Sequence, residues 1–341
     1  MSERVRRPLE IAILLFPQAQ MAAVHGLTDL FGFADTLARA RSGSDEPLLR
    51  VSHFRQGAAG HMERSFDTLP GADTQPVVVI VPPCHLSTVA DTAASTAILV
   101  AWLRARDADG ATLASVCGGT FLLAETGLLD GLTATTHWIY ANELAARFPA
   151  VHVDANPLLI DHGRILTAGG LMAWPDLGLT LVDRLLGAAA MIETGRFMMI
   201  DPPGREQRFY SAFVPALSHG DEAVLKAQEV LKTDPTAGIS VSALATLAGL
   251  HERTFVRRFH KATGLKPNHY QQHLRVDKAR QLLEATVQQI DTIAWSVGYS
   301  DPGSFRRVFA RITGLSPGDY RKRFAHERVS AAPQGHRVQR A

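Results

Sequence analysis

One cysteine stands in a segment that is typical of enzymes with a covalent nucleophile. The segment ASVCGGTFLLAETGLL, residues 114–129, places Cys117 between a short apolar run and a stretch whose apolar residues have helical spacing. A sharp turn from strand to helix presents such a side chain at the edge of a sheet. A thiolate there could attack an amide or a nitrile, but it needs an activating neighbour, because an ordinary thiol is mostly protonated at pH 7.

Four apolar runs must position this turn. EIAILLF (10–16) and PVVVIVPP (76–83) are continuous runs rich in β-branched residues, and residues 112–117 and 164–170 are similar. Such runs are typical of strands buried on both faces, and amphipathic stretches follow them. We therefore expect an α/β domain of the flavodoxin-like kind, with a mostly parallel sheet sandwiched by helices. The residues expected at the carboxyl edge of this sheet are Phe16, Pro82, Cys84, Cys117 and Gly170.

The composition limits the class of protein. The chain has 341 residues, 46% hydrophobic and 20% charged, which fits a soluble protein with two domains. Its two cysteines exclude a disulfide framework and a four-cysteine zinc site. The lack of a long apolar run and of a cleavable leader predicts a cytoplasmic protein with no membrane partner. We expect no metal and no cofactor.

Charge is distributed unevenly along the chain. Residues 221–341 carry 19 Lys and Arg against 11 Asp and Glu, whereas residues 1–220 carry 16 against 22. The second part is therefore basic and the first part acidic. This split is typical of a polyanion-binding module joined to a separate control domain.

The basic part contains an internal repeat. FVRRFHKATGLKPNHY begins at Phe255 and FRRVFARITGLSPGDY begins at Phe305. Each copy follows a short helical segment and a turn with a glycine, Gly249 or Gly298, so each copy has the pattern of a helix-turn-helix unit. Seven residues recur at a spacing of fifty: Phe255, Phe259, Thr263, Gly264, Leu265, Pro267 and Tyr270 return at Phe305, Phe309, Thr313, Gly314, Leu315, Pro317 and Tyr320.

Helical spacing assigns the faces of the second helix in each unit. Phe255 and Phe259 lie four residues apart and point to the core, whereas Arg253 and Arg257 form a different stripe. An outward arginine can donate two hydrogen bonds to a guanine in the major groove. A solvated basic face of a helical bundle is the alternative, but the repeat favours double-stranded DNA as the partner. In the second copy Arg307 occupies the place equivalent to Arg257. The residues that flank these positions and are expected at phosphates are Arg258, Lys261, Arg306 and Arg311.

These motifs carry a resemblance to a known family. Residues 236–325 resemble the DNA-binding domain of AraC/XylS-type transcription regulators. The resemblance implies two helix-turn-helix units in an all-α domain, an activator, and RNA polymerase as a partner. Most sequence choice is then expected from Arg253 and Arg257. The positions that correspond to base-facing places in this family are Arg253, Val256, Arg257, Pro302, Gly303, Ser304 and Arg307.

The first part of the chain carries a second resemblance. CGGTFLLAETGLLDGLTATTHW (117–138) and the following LTAGGLMAWPDLGLTLVDRLLG are similar to the class I glutamine-amidotransferase-like, PfpI-type domain. Joined to an AraC-type domain, it makes the pair known as GlxA-like regulators. Catalytic relatives have a histidine after the cysteine or an acid after the first strand, but this chain has Gly118 and the pair Ala22 and Ala23. His25 and His137 remain as candidate bases, but a histidine in a loop is more often a structural or ligand-contacting group. These departures from the catalytic pattern predict a non-catalytic domain.

Two uses of the cysteine turn stay open. Backbone N–H groups of Gly118 and Gly119 at a helix start favour a carboxylate, beside an aromatic wall of Trp138 and Trp174. Alternatively, Cys84 follows a strand that we expect to end at the same sheet edge, and a redox role as a Cys84–Cys117 disulfide requires Cα atoms less than about 7 Å apart. The ligand-binding candidates are Cys117, Gly118, Gly119, His137, Trp138, Cys84 and Gly170.

The sequence as a whole predicts a DNA-binding transcription regulator controlled by a small metabolite, such as an amino acid, an amine or a betaine, and acting as a homodimer. The alternatives are a cysteine-dependent amidase or hydratase with a DNA-binding domain, and a first domain that serves only for dimerisation. The predicted domains are a sensor (8–200), a connector (201–235), a DNA-binding domain (236–325) and a disordered tail (326–341).

Overall fold

The structure of the protein is a computed structural model that describes residues 7–84, 93–201, 204, 206–217 and 219–325. The chain forms two compact units, which we call unit 1 (Met1–Gln207) and unit 2 (Arg208–Ala341). The predicted tail, 326–341, lies outside the described residues.

Unit 1 is built on a sheet of seven strands in the order β3-β2-β1-β4-β5-β9-β8, and a small pair, β6 and β7, lies apart from it. Five parallel strands form its centre, and β3 and β8 pair antiparallel at the two edges. The strands are β1 (Leu9–Leu15), β2 (Leu49–Gln56), β3 (Met62–Asp67), β4 (Pro76–Val81), β5 (Thr112–Val116), β6 (Thr133–Ala134), β7 (His152–Val153), β8 (Leu159–Asp161) and β9 (Ile165–Ala168).

The flavodoxin-like prediction is confirmed by the order of the parallel strands. In chain order they are first to fifth, and in space they run second, first, third, fourth, fifth, which is the doubly wound arrangement. The four runs singled out in the sequence are β1, β4, β5 and β9. The strand order reverses between β1 and β4, so the crevice for a ligand is expected at the carboxyl ends of these strands.

Helices cover both faces of the sheet. Residues of β1 alternate between the layers: Ile11 and Ile13 pack in the core of α1, α5 and α6, and Ala12 and Leu14 pack in the core of α2 and α3. This alternation explains why the strand is apolar throughout. The helices of unit 1 are α1 (Met21–Ser42), α2 (Ala93–Ala108), α3 (Gly119–Ala124), α4 (Ala141–Arg147), α5 (Trp174–Leu186) and α6 (Ala188–Met198).

A buried polar network joins the first three strands. The carboxylate of Glu10 is fully buried and accepts hydrogen bonds from Arg50, Arg64, Ser52 and Thr74. Since a buried charge is costly unless it is paired, this network has to stay complete for unit 1 to remain folded.

The described residues of unit 2 form seven α-helices around two small cores. One core lies among α7, α8, α9 and the start of α10, and the other lies among the rest of α10 and the last three helices. The helices are α7 (Glu222–Thr233), α8 (Val241–Leu247), α9 (Glu252–Thr263), α10 (Pro267–Ala285), α11 (Ile290–Ser296), α12 (Pro302–Thr313) and α13 (Pro317–Phe324).

The internal repeat is visible in the packing. Phe259 meets Tyr270 edge to face with ring centroids 5.2 Å apart, and Phe309 meets Tyr320 in the same way at 5.4 Å. Both recognition helices, α9 and α12, end at a left-handed glycine. The two helix-turn-helix units predicted from the repeat are therefore present as two copies of one packing pattern.

The segment before α7 is attached to unit 2. The Arg280 guanidinium, almost fully buried on α10, donates to the carbonyl oxygens of Arg208 and Ser211, and Phe213 packs edge to face on Tyr270 at 4.9 Å. Helix α7 also packs with α8 and α9. The residues that we predict as connector, 201–235, thus include a helix of this unit, and the domain boundaries stay predictions.

The buried network makes a prediction for stability. Replacing Arg50 by Met leaves Glu10 and Asp67 without their shared cation, and we expect the free energy of unfolding of unit 1 to fall by about 3 kcal/mol. The matched control is Arg41→Met, whose exposed pair with Glu193 contributes less than about 1 kcal/mol. Urea unfolding of the full chain, followed by tryptophan fluorescence, measures both, since Trp102, Trp138 and Trp174 all lie in unit 1. Equal losses in the two variants would contradict a structural role for the network.

Candidate functional site

Cys117 lies on the sharp turn that the sequence predicts. Its backbone φ is 53°, a left-handed conformation that is rare for a side chain other than glycine. Two hydrogen bonds hold the turn: the Cys117 N–H donates to the Ala168 carbonyl at 2.7 Å, and the Thr136 hydroxyl donates to the Cys117 carbonyl at 2.8 Å. Strain of this kind costs about 1–3 kcal/mol and is common at functional sites.

The two glycines after the cysteine permit a close approach to β4. A Cβ atom on Gly118 would lie 2.6 Å from the Cys84 carbonyl oxygen, and one on Gly119 would lie 2.5 Å from the Pro82 carbonyl oxygen. Because any side chain would collide with this backbone, the turn brings Cys117 beside Cys84 at the carboxyl edge of the sheet. The expectation that both thiols gather at this edge is thus met.

Both thiols are buried and protonated. Burial raises the pKa of Cys117 to about 11, although the backbone N–H groups of Gly118 and His137 bond to the sulphur and lower it. Burial also raises the pKa of Cys84 to about 12. The Gly118 N–H is bonded to the Cys117 sulphur, and α3 has six residues, all buried. A ligand carboxylate at Gly118 and Gly119 stays a prediction.

The two histidines considered as bases have other surroundings. His25 is exposed on α1, and its ring centroid lies 6.2 Å from that of His53. His137 is half-buried, its Nδ1 accepts from the Ile139 N–H at 3.2 Å, and burial lowers its pKa. The contact of His137 with the thiol is made by its backbone N–H rather than by its ring.

Two further residues lie at the turn and were not predicted as site residues from the sequence. Tyr140 ends a short 3-10 turn, and the neighbouring thiols contribute, after burial, to its raised pKa. Gln207 is 2% exposed, and its Nε2 donates to the Thr136 carbonyl at 2.9 Å. Only a glycine at position 169 leaves room for this amide, since a Cβ there would lie 1.8 Å from Nε2. The sequence signal was the pair Gly169 and Gly170, of which only the second was considered.

The tryptophans have separate roles. The Trp174 ring packs on Gly26 of α1, where a Cβ atom would lie 2.4 Å from Cη2, so this ring belongs to the core. Trp138 is half-buried beside His137, with ring centroids 5.4 Å apart. Gly170 has a φ of 76° and faces Gln207, whose Oε1 would lie 3.9 Å from a Cβ there.

Helix α9 presents a stripe of free positive charge. Arg253, Arg257 and Lys261 are exposed and follow each other at intervals of four residues. Within the described part of the chain, none of the three has an ion-pair partner. Their charges are therefore available to an external polyanion.

Other residues predicted to contact DNA are paired or packed within unit 2. The Arg258 guanidinium makes a bidentate pair with Asp221, the N-cap of α7, at 2.7 and 2.9 Å. Arg306 pairs with Asp291. Val256 is half-buried and packs on the core of α9. Two of the N–H donors of Arg258 are thus directed at a carboxylate of its own unit, and its contact with phosphates stays a prediction.

Helix α12 differs from α9 at its start. Asp301 caps α12 by accepting from the Gly303 N–H at 3.0 Å and the Ser304 N–H at 2.8 Å, and Arg307 lies 3.7 Å from the same carboxylate. The cap explains why the backbone of Gly303 and Ser304 begins a helix directly after Pro302. Asp301 was not considered as a site residue in the sequence.

Comparison with known proteins gives the family. A model of the DJ-1/PfpI family matches residues 67–184, and a helix-turn-helix domain model matches residues 244–323. The HTH-type transcriptional regulator CdhR of Pseudomonas aeruginosa is 31% identical over 73% of this chain and 75% of its own length. The chain belongs to the family of transcription regulators that join a DJ-1/PfpI domain to an AraC-type helix-turn-helix domain.

Other relatives have the same description. The HTH-type transcriptional regulator GlxA of Rhizobium meliloti is 30% identical over 63% of this chain and 66% of its own length. The HTH-type transcriptional regulator GbdR of Pseudomonas aeruginosa is 29% identical over 65% and 61%. The prediction of a DNA-binding transcription regulator with a PfpI-like domain is confirmed.

The described residues contain neither a membrane-spanning helix nor a metal-binding cluster. None of their helices has the length and apolar character that crossing a membrane requires. No group of three or more His, Cys, Asp or Glu side chains in the described ranges is arranged to hold a metal ion.

The protonated thiol makes a prediction for reactivity. In a Cys84→Ser variant, where Cys117 is the remaining cysteine, a pKa of about 11 leaves roughly one thiol in ten thousand ionised at pH 7. We expect alkylation by iodoacetamide to be far slower than in the urea-unfolded chain, and to accelerate about tenfold per pH unit up to about pH 11. Rapid alkylation at pH 7 with a plateau below pH 8 would instead indicate an activated nucleophile.

Proposed function

We propose that unit 1 is a non-catalytic sensor, which binds a small metabolite at the carboxyl edge of its sheet and thereby controls DNA binding by unit 2. The protein acts as a homodimer that activates transcription through RNA polymerase, in the compartment that holds the DNA. The observation that supports the sensor role is the buried, protonated thiol of Cys117 on an otherwise intact nucleophile turn.

The surroundings of the thiol argue against catalysis. A nucleophilic cysteine needs a base or a cation that stabilises its thiolate. Burial raises the pKa of Cys117 more than its backbone hydrogen bonds lower it. The His137 ring accepts a hydrogen bond from a backbone N–H, and His25 is exposed beside His53. An amidase or hydratase is therefore the less favoured candidate.

The geometry also supports a route from the site to the rest of the chain. The Gln207 amide bonds to Thr136, whose hydroxyl bonds to the Cys117 backbone, and Gln207 is the last residue of unit 1. The next residue, Arg208, accepts a hydrogen bond from Arg280 on α10. A ligand that displaces Thr136 therefore also displaces Gln207, the last residue before the chain enters unit 2. Such a ligand changes DNA binding only by its differential affinity for two states.

Substitutions on α9 test the DNA interface. Arg257→Ala removes a base-reading guanidinium and should relax the sequence preference, with a cost of about 1–3 kcal/mol on the preferred site. Lys261→Ala removes a phosphate contact and should weaken all sequences alike and lower the salt slope by about one. Competition binding on selected and random duplexes at several salt concentrations measures both effects. Wild-type preference in an Arg253→Ala/Arg257→Ala double variant would contradict the placement of α9.

Thermal shift tests the sensor. Among amino acids, amines and betaines, we expect one class to raise the melting temperature by several degrees, since a ligand at a hundred times its Kd adds about 2.7 kcal/mol. The same compound should change the DNA footprint of the wild type. In Gln207→Ala the thermal shift should persist while the change in footprint is lost.

The alternatives make different predictions for the same experiments. If no compound shifts the melting temperature, unit 1 serves only for dimerisation. If the wild type hydrolyses amides or hydrates nitriles and Cys117→Ser does not, with DNA affinity intact, unit 1 is an enzyme.

A further inference from the structure

A short segment lies along one side of the linking helix α10. Residues 208–213, which we call the strap, directly follow unit 1 in the chain. The Phe213 ring packs edge to face on Tyr270, near the start of α10, with ring centroids 4.9 Å apart. The Ser211 carbonyl accepts a hydrogen bond from Arg280, which is almost fully buried further along the same helix. Tyr270 and Arg280 are ten residues apart, so the strap follows α10 over about 15 Å.

One end of the strap contacts the second helix-turn-helix. Gly314 ends α12 in a left-handed conformation, and a Cβ atom there would lie 2.7 Å from Cε1 of Phe209. On α13, the Arg323 guanidinium lies 5.4 Å from the ring centroids of both Phe209 and Tyr210, and it donates to the Tyr210 hydroxyl at 2.7 Å. The strap is thus packed against the end of the second recognition helix.

The other end of the strap belongs to the first helix-turn-helix. Phe213 packs on the core that α7, α8 and α9 share, and its N–H donates to the Asp277 carboxylate on α10. Its neighbour Tyr270 in turn meets Phe259 of α9 edge to face. The six residues of the strap therefore bridge the cores under both recognition helices.

A second bridge joins the same two cores on another side of α10. Arg275 donates to the Pro235 carbonyl at 2.8 Å, after α7, and to the Gly298 carbonyl at 2.9 Å, in the turn before α12. Arg275 and Arg280 are five residues apart, so they point in directions about 140° apart around the helix. Two bodies that are joined through one helix can rotate about its axis, whereas bridges on two sides fix their relative orientation.

We propose that the strap is a positioning element for DNA recognition, which fixes the angle between α9 and α12 and thereby sets the spacing of the two half-sites that the protein accepts. Each base pair added between half-sites moves the second one by about 3.4 Å and rotates it by about 35°. Phe209, Phe213 and Arg323 are positioning residues, since they act on bases only through the recognition helices. This inference rests on the proposed placement of α9 and α12 in the major groove.

Two variants release the strap at its two ends. Phe213→Ala removes the anchor in the first core, and its matched control is Val214→Ala, at the next residue, which is 54% exposed. Arg323→Ala removes the guanidinium from the aromatic rings at the other end. Its matched control is Lys322→Ala, which removes a neighbouring cation whose side chain is 83% exposed. Since Arg323 lies at the surface, Arg323→Ala should stay folded even where Phe213→Ala lowers the melting temperature.

The experiment measures spacing and base preference separately, with the full chain. Duplexes are selected with the wild type from a random library, and the positions that respond to Arg257→Ala and to Arg307→Ala mark the two half-sites. One base pair is then inserted between them. We expect the insertion to weaken wild-type binding about tenfold or more, and to weaken Phe213→Ala and Arg323→Ala about threefold or less. Base preferences within each half-site should not change, and both controls should behave like the wild type.

Other outcomes overturn the inference. If both strap variants lose affinity on insertion as steeply as the wild type does, α10 and Arg275 set the spacing without the strap. If their base preferences change as well, the substitutions disturb the recognition helices themselves. Both results leave DNA binding by α9 and α12 intact. If the insertion costs the wild type nothing, or the wild type selects no site with two halves, the placement of both helices fails together with this inference.

Discussion

The close approach of the cysteine turn to the end of β4 is the contact on which the character of unit 1 depends. Gly118 and Gly119 leave no space for a side chain against the carbonyl oxygens of Cys84 and Pro82. This packing buries both thiols, and burial keeps them protonated by raising their pKa values. The turn therefore has the strained shape of a nucleophile turn, but its thiol is enclosed rather than exposed.

Unit 2 depends on a different principle, the repetition of one packing pattern with different surfaces. Each copy buries two phenylalanines under a tyrosine, and each recognition helix ends at a left-handed glycine. Because the cores carry the stability, the outward faces are free to differ. One face bears cations that have no ion-pair partner among the described residues, and the other bears a carboxylate beside an arginine.

Polar groups join these elements as much as apolar packing does. The buried Glu10 network ties the first three strands, the Asp221–Arg258 pair ties α7 to α9, and Arg280 holds the segment that follows unit 1. Each group has partners far away in the chain, so each connects elements that are not neighbours in the sequence. Gln207 adds the link from the turn to the chain end of unit 1.

The central strands, the two helix-turn-helix units and the cysteine turn can be predicted from the sequence alone. They depend on apolar periodicity and on glycines at turns, which are patterns among neighbouring residues of the chain. Strand β2 was not predicted, because Arg50 and Ser52, which are buried around Glu10, interrupt its apolar pattern. Three features follow from the tertiary structure. The thiols are protonated because they are buried. Arg258 pairs with Asp221, 37 positions away, and Gln207 lies beside Thr136, 71 positions away. Burial and pairing depend on neighbours in space, and a single sequence shows only neighbours in the chain.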